Sequence, residues 1–356
     1  MTLIKLGIIG CGFISDIFAQ IFDELKHKIQ VVATCDIDLE KAQRTAKILG
    51  AQYAVENYEE VMDKVDAFYV ATPHDLHFPM GMKLIKAGKH VLMEKPMALT
   101  EDECLDLIHA EQQSDAVFMI GYMARYHPIY KKIKEIIDSK QYGEAYQASI
   151  WTEQYTYAPE DSWIRSAKRL GGGQFFSHGC HYVDLLLWFM GKPLKGAHMG
   201  TNLCTPWMEK EGTSNAIFQF EGGKLAYHFG TWGTKGTRHS YAVHVFFEQG
   251  MVEACVNEGV IYYHTSKNTH NYYEVSDPPV EIFSCGDTSH VPKPVIEHFA
   301  DCIIEGKTPD TTAQQALHSL RVIWRMYEAE EKGIIADLTG LGFGEEWDIR
   351  GLDKLP

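Results

Sequence analysis

The sequence predicts an α/β protein of two domains, with a doubly wound parallel sheet over residues 1–122 and a second α/β domain carrying a largely antiparallel sheet over 123–356. Three observations carry that expectation. Short β-branched runs alternate with helix-period segments up to Tyr122. The first of these strands ends in Gly10-Cys11-Gly12 and opens directly into a helical repeat. After Tyr122 the pattern changes to short alternating segments parted by glycine turns.

Taken in order, Ile4 to Ile9 reads as a buried strand, and Ile14, Ile17, Phe18, Ile21, Phe22 and Leu25 mark one face of the helix after it. Gly10 and Gly12 sit where strand turns into helix. The first backbone N–H groups of a helix and its positive end make an anion site, and a residue without Cβ lets a pyrophosphate reach the backbone. The third small position of this fingerprint is Ser15. Gln30 to Cys35 is the next strand, and Asp36 ends it where a dinucleotide fold places an acid on the adenosine ribose. A carboxylate accepting from both ribose hydroxyls repels a 2′-phosphate, so NAD is expected over NADP.

A helix from Leu39 to Leu49 stops at Gly50, and Asn57 with Glu60 forms a capping-box pattern for a short helix. Ala67 to Ala71 is a strand halted by Thr72-Pro73, Phe78 to Ala87 a helix, and His90 to Met93 a strand ending in Glu94-Lys95-Pro96. Thr100 and Glu103 box the next helix, and Ala116 to Tyr122 is a further strand. Five strands can be bounded in this way; the alternation predicts a sheet of six.

Beyond Tyr122 come a helix from Pro128 to Ile137, a strand from Glu144 to Trp151, and a loop rich in Tyr, Trp and charge that runs to Gly171-Gly172-Gly173. His178 to Met190 reads as a helix. Alternating segments come next, including Asn215 to Phe220, Lys224 to Thr231 and Tyr241 to Phe247. Helices from Pro294 to Ile304 and Ala313 to Glu331 come last.

A length of 356 residues suits two domains, and 45% hydrophobic with 23% charged residues is an ordinary globular composition. The formal charge of -15, with no basic stretch to offset it, argues against nucleic acid or an anionic membrane as partner. A strand opening at Ile4 leaves no room for a signal peptide, and no apolar run approaches transmembrane length, so a cytoplasmic protein is expected. The eight cysteines are scattered with no Cys-x-x-Cys, which predicts buried reduced thiols rather than a zinc or redox site.

The ordered set Gly10-x-Gly12-x-x-Ser15, Thr72-Pro73 with His77, Glu94-Lys95-Pro96, Gly121-Tyr122 with Arg125-Tyr126-x-Pro128, Gly171-Gly172-Gly173 and His181-x-x-Asp184 resembles the glucose–fructose oxidoreductase / inositol 2-dehydrogenase / rhizopine-catabolism (Gfo/Idh/MocA) family over essentially the whole chain. That resemblance implies a Rossmann domain followed by an α/β domain with an open sheet, a nicotinamide cofactor, a sugar, cyclitol or related polyol as substrate, and a homodimer or homotetramer formed through the open sheet. Gly10, Gly12, Phe13, Ile14 and Asp36 are then expected at the adenosine and pyrophosphate, and Thr72, Pro73, His77, Glu94 and Lys95 at the nicotinamide half.

Oxidising a secondary alcohol needs a hydride acceptor, a group that takes the hydroxyl proton, and a donor for the developing alkoxide. Lys95 stands at the C-terminal end of a strand, where parallel sheets bind ligands, and by resemblance is the catalytic lysine. His181 matches the family's active-site histidine and is the expected general base. Asp184, one turn on, either orients His181 or complements the helix N-terminus. Many members carry an Asp four residues before that histidine; here Ser177 stands there, followed by His178, which can substitute. Some NAD-dependent glycosidases related to the family have Thr-His-Gly where this chain has Ser177-His178-Gly179, although their preceding tyrosine is Phe175 here. A metal on His178, His181 and Asp184 lacks a nameable fourth ligand, so none is expected. In the aromatic loop, Trp151, Tyr155, Trp163, Arg165 and Lys168, with His178 and His181, are the expected substrate contacts, since aromatic faces stack on sugar rings and donors meet hydroxyls.

The expectation is an NAD-dependent oxidoreductase acting on a sugar, glycoside or cyclitol. The alternatives are redox-neutral, NAD-dependent glycoside cleavage, and a non-catalytic NAD(H)- or sugar-binding regulator.

Overall fold

The computed structural model describes residues 3–12, 21–22, 24–266, 277–286 and 293–342. Phe13, Ile14 and most of the first expected helix lie outside the described residues. The chain falls into two compact units: the described residues of 1–123 with 293–317, and those of 124–286 with 318–342.

The first unit is built on six strands, β1 (Ile4–Ile9), β2 (Ile29–Cys35), β3 (Tyr53–Val55), β4 (Ala67–Val70), β5 (His90–Met93) and β6 (Phe118–Ile120). They pair in parallel in the order β3-β2-β1-β4-β5-β6. The strand that could not be bounded in the sequence is β3, three half-buried residues long. The order reverses between β1 and β4, which makes the C-terminal ends of those two strands the ligand-binding crevice of a doubly wound sheet. Burial on both faces explains why β1 and β4 read as nearly continuous apolar runs.

Local signals set the helices. Asp38 accepts from the N–H groups of Glu40 and Lys41 to start Leu39–Leu49, and Gly50 ends it at φ 67°. Thr100 and Glu103 form a complete capping box on Glu101–Gln112. Asn57 instead caps through Glu59 N–H, at the start of the 3-10 helix Tyr58–Lys64. The helix Lys293–Glu305 belongs to this first unit, where Glu297 and Asp301 lie 2.9 and 2.8 Å from the ammonium of Lys28.

The second unit carries β7 (Ala145–Glu153), β8 (Pro193–Thr201), β9 (Thr213–Phe220), β10 (Leu225–Thr231), β11 (Tyr241–Phe247), β12 (Gly250–Cys255), β13 (Val260–His264), β14 (Val280–Ser284) and β15 (Ala336–Asp337). Their order is β14-β13-β12-β11-β7-β10-β9-β8-β15, antiparallel throughout except where β10 lies along β7. The helix Cys180–Met190 packs on β7 and β10, burying Val183, Leu185 and Leu186. Strand alternation divides the sheet cleanly. Ile150, Thr152, Ala226, His228 and Val243 face the helix side and are buried, whereas Trp151, Ile217, Leu225 and Tyr227 point the other way. No helix among the described residues is long and apolar enough to cross a membrane.

Candidate active site

In the first unit the crevice is made by three turns, after β1, β4 and β5. Gly10 ends β1 at φ 92°, and a Cβ there would lie 2.4 Å from the Ala71 carbonyl oxygen, so the two turns of the switch point touch only because that position is glycine. Among the described residues, a Cβ on Gly12 would meet nothing within 4 Å. Asp36 leaves the end of β2 toward this turn. Its Oδ2 accepts from Cys11 N–H at 2.8 Å and its Oδ1 from Asp38 N–H at 2.9 Å. One carboxylate is thereby fixed beside the glycine turn, with lone pairs remaining on both oxygens for ribose hydroxyls. Arg44 reaches the same turn and donates to the Cys11 carbonyl at 3.3 Å.

Thr72 and Pro73 continue from β4 and are half-buried. His77 is fully buried behind them, with Nδ1 2.7 Å from the Pro96 carbonyl and Nε2 3.0 Å from that of Thr72. It links the two turns from inside rather than lining the crevice. Burial holds the His77 imidazole down at about 4 against the two carbonyl contacts, which pull it up, so at pH 7 it is neutral and its single N–H donates to one of the two. After β5, Glu94 is buried and accepts from the Tyr69 hydroxyl at 2.8 Å. Burial pushes its carboxyl up, and the neighbouring Lys95 ammonium pulls it back. Lys95 is half-buried at the strand end, next to that acid.

In the second unit the histidines lie on the helix side of the sheet. His178 ends the short helix Gln174–Ser177, and His181 sits in the first turn of Cys180–Met190. Their ring centroids are 6.3 Å apart and nearly perpendicular, at 82°. His178 has Gln174 Nε2 3.3 Å from Nδ1 and the Tyr241 hydroxyl 3.4 Å from Nε2. Tyr241 also takes a short hydrogen bond from the Gln154 amide and is joined to the Tyr182 hydroxyl. Burial pushes the Tyr241 phenol up to about 12, so at neutral pH it keeps its proton. Tyr182 stacks on His228 with centroids 5.4 Å apart.

Asp184 does neither of the two things expected of it. Its oxygens accept from Arg125 Nε at 2.6 Å and Nη2 at 2.7 Å, in a bidentate pair that is almost wholly buried. That pairing also removes it from any metal triad with His178 and His181. The triple glycine holds a close approach: a Cβ on Gly173 would fall 2.2 Å from Glu211 Cδ.

The expected substrate residues divide. Trp163 packs against Leu170, Met208 and Trp232, and the Trp232 ring lies 6.4 Å from His178, so this part of the aromatic loop stands near the histidines. Tyr155 bridges to Gly233 in the same neighbourhood and is 60% exposed. Arg165 donates to the Ala158 carbonyl at 3.0 Å, and Lys168 is exposed. Trp151 is not brought to the histidines: it projects from the opposite face of the sheet, against Tyr227 and Phe229. Sequence reasoning missed Tyr182, Gln174 and Tyr241. Of these, only Tyr241, at the head of a strand whose next inward residue is Val243, had a position that signalled it.

A parallel sheet with a glycine turn and an acid at its switch point defines a dinucleotide-binding protein of the doubly wound class. Residues 4–122 match the family model described as an oxidoreductase family with an NAD-binding Rossmann fold, and residues 130–253 match the GFO/IDH/MocA C-terminal domain. The chain belongs to the Gfo/Idh/MocA oxidoreductase family. It is 31% identical to trans-1,2-dihydrobenzene-1,2-diol dehydrogenase of Xenopus laevis over 51% of this chain and 55% of that one. It is 25% identical to D-xylose 1-dehydrogenase (NADP(+)) 2 of Haloferax volcanii over 94% and 98%. The chain spans about half to two thirds of the length of several curated relatives it matches, between 52% and 65%. Among solved structures, aldose-aldose oxidoreductase from Caulobacter crescentus, complexed with glycerol, shares the fold at TM-score 0.82 and 21% identity, over 95% of this chain and all of that one.

Proposed function

We propose that this chain is an NAD-dependent oxidoreductase that moves a hydride between a secondary alcohol of a sugar, glycoside or cyclitol and the nicotinamide. The observation that carries the proposal is the Asp36 carboxylate, pinned through Cys11 N–H at the mouth of the crevice between β1 and β4. A fixed acid there suits two ribose hydroxyls and disfavours a 2′-phosphate. Gly10 and Gly12 then hold the pyrophosphate, with Phe13 and Ile14 assigned to the same half. Thr72, Pro73, Glu94 and Lys95 line the nicotinamide half, and His77 acts through the turns it joins.

Bound NAD supplies the ring carbon that accepts the hydride. The residues of the chain handle the proton. Lys95 donates to the reacting oxygen and stabilises the alkoxide as the C–H bond breaks, and His181 receives the hydroxyl proton. His178, bracketed by Gln174 and Tyr241, stands in for the carboxylate that Ser177 lacks. Tyr155, Trp163, Arg165 and Lys168 contact the substrate. The relatives' names, dehydrogenases of a dihydrodiol and an aldose, support alcohol oxidation and do not favour glycoside cleavage or a silent regulator.

The exposed sheet face, with Met199, Ile217, Leu225 and Trp151 between 36% and 73% exposed, is the surface through which two copies pair. No two of the eight cysteines are joined in a disulfide, which suits a cytoplasmic setting. Reduction of NAD by such alcohols, lost in Lys95→Ala while NAD binding remains, tests the assignment.

A further inference from the structure

Away from these histidines, the turn before β11, the end of β12 and the 3-10 helix Val256–Glu258 that follows it bring together three side chains of metal-ligand type. His239, Cys255 and Glu258 each offer a ligand atom, and the three atoms lie within 4.8 Å of one another. His239 Nδ1 is buried and, among the described residues, has no hydrogen-bond partner. The nearest carboxylate oxygen, Oε1 of Glu258, is 3.8 Å away, too far for a hydrogen bond. A nitrogen and an oxygen ligand of one tetrahedral ion, with bonds of about 2.0–2.2 Å, stand roughly 3.3–3.5 Å apart, so a shift of a few tenths of an ångström brings this pair to ligand spacing.

We propose that His239, Cys255 and Glu258 form a binding site for a divalent cation of borderline softness, with Zn²⁺ as the natural occupant and solvent as its fourth ligand. A nitrogen, a sulfur and a carboxylate oxygen are the donor set of zinc rather than of magnesium or calcium. The surroundings favour a cation: Glu253 lies close enough to act on Cys255, as does Glu258, with Arg238 the opposing charge. Glu258 is 58% exposed in its side chain and can swing to close the remaining gap. Binding replaces the Cys255 thiol proton, which leaves to solvent as the sulfur–metal bond forms. The ion would tie the turn at His239 to the end of β12, two residues before Tyr241, whose hydroxyl faces His178. This site departs from the sequence expectation, because its ligands come from a turn, a strand end and a 3-10 helix rather than from a regular spacing.

The test is a Co²⁺ titration of the whole chain, stripped of metal and kept reduced. One equivalent should bring up a near-ultraviolet thiolate-to-cobalt charge-transfer band with tetrahedral visible bands, and Zn²⁺ should displace both. Cys255→Ser should abolish the charge-transfer band. Glu258→Gln, at an exposed position that leaves the fold intact, should weaken binding at least about tenfold, since losing even an outer-shell partner costs that much. Absence of the band in the unaltered protein, the same band in Cys255→Ser, or unchanged affinity in Glu258→Gln would each overturn the site.

Discussion

The backbone N–H of Cys11 donates to Oδ2 of Asp36 at 2.8 Å, so the acid that ends β2 is fastened to the turn that ends β1. The glycine turn and this carboxylate are one element, set by the pairing of β1 with β2. Asp36→Asn keeps the size and one acceptor but loses the charge. It should raise the Kd for NAD roughly 10- to 100-fold, the range of a charge-assisted hydrogen bond of about 1.5–3 kcal/mol, and narrow the preference over NADP. Fluorescence titration with both cofactors reads this. An unchanged NAD-to-NADP ratio would contradict the role given to Asp36.

Arg125 and Asp184 are a buried bidentate pair, with side chains 7% and 0% exposed. Burial pushes the Asp184 carboxyl up and Arg125 pulls it back. Removing one charge strands the other, so Asp184→Asn or Arg125→Met alone should cost about 3–5 kcal/mol of stability in urea unfolding. The double variant Arg125→Met with Asp184→Leu should cost less than the sum of the two single changes.

Four buried histidines set the acid side of stability. Burial holds His77, His127 and His318 at about 4 and His228 at about 3, against 6.5 for an exposed imidazole. Below about pH 6.5 the unfolded chain binds protons that the folded chain refuses, so stability falls as the pH drops, by roughly 2 kcal/mol per histidine at pH 5. Glu111, pushed up to about 7 by burial, works the other way over the same window and offsets about one of them, and the buried Glu94, Asp184 and Glu211, also pushed up by burial, oppose the histidines in the same sense. The histidine contribution should therefore show as a urea midpoint that changes less favourably from pH 7 to pH 5 in the unaltered protein than in His228→Gln. The same pH dependence in both proteins would contradict the role given to His228.

The proposed pairing through the open sheet predicts that Ile217→Lys, at a position 55% exposed, separates the copies without unfolding either one. Sedimentation should then show a smaller species with an unchanged far-ultraviolet circular dichroism spectrum. An unaltered particle size would place the interface elsewhere.

How much was legible in the chain depends on the range of each interaction. Gly50 and the Thr100–Glu103 box act within one turn, and the helix ends they imply are where the structure has them. The strand β3 escaped because three half-buried residues carry no period. Asp184 was misjudged because its partner Arg125 lies 59 residues away, a separation that no local pattern encodes. Trp151 drew attention by its chemistry, yet its neighbour Thr152 is the one facing the helix side, since a single step along a strand changes the face. Gln174, Tyr182 and Tyr241 went unnoticed because buried polar residues on a helix or at a strand head look like packing until their partners are known.

The most direct measurement is incubation of the purified protein with NAD and a panel of cyclitols, free sugars and aryl glycosides, scoring NADH and released aglycone together. The account predicts NADH in proportion to alcohol oxidised, with a loss of roughly 10²- to 10⁴-fold in kcat for Lys95→Ala, the usual worth of a proton-transfer group, and no loss of NAD binding. Aglycone released without accumulating NADH, or NADH formed equally well by Lys95→Ala, would contradict it.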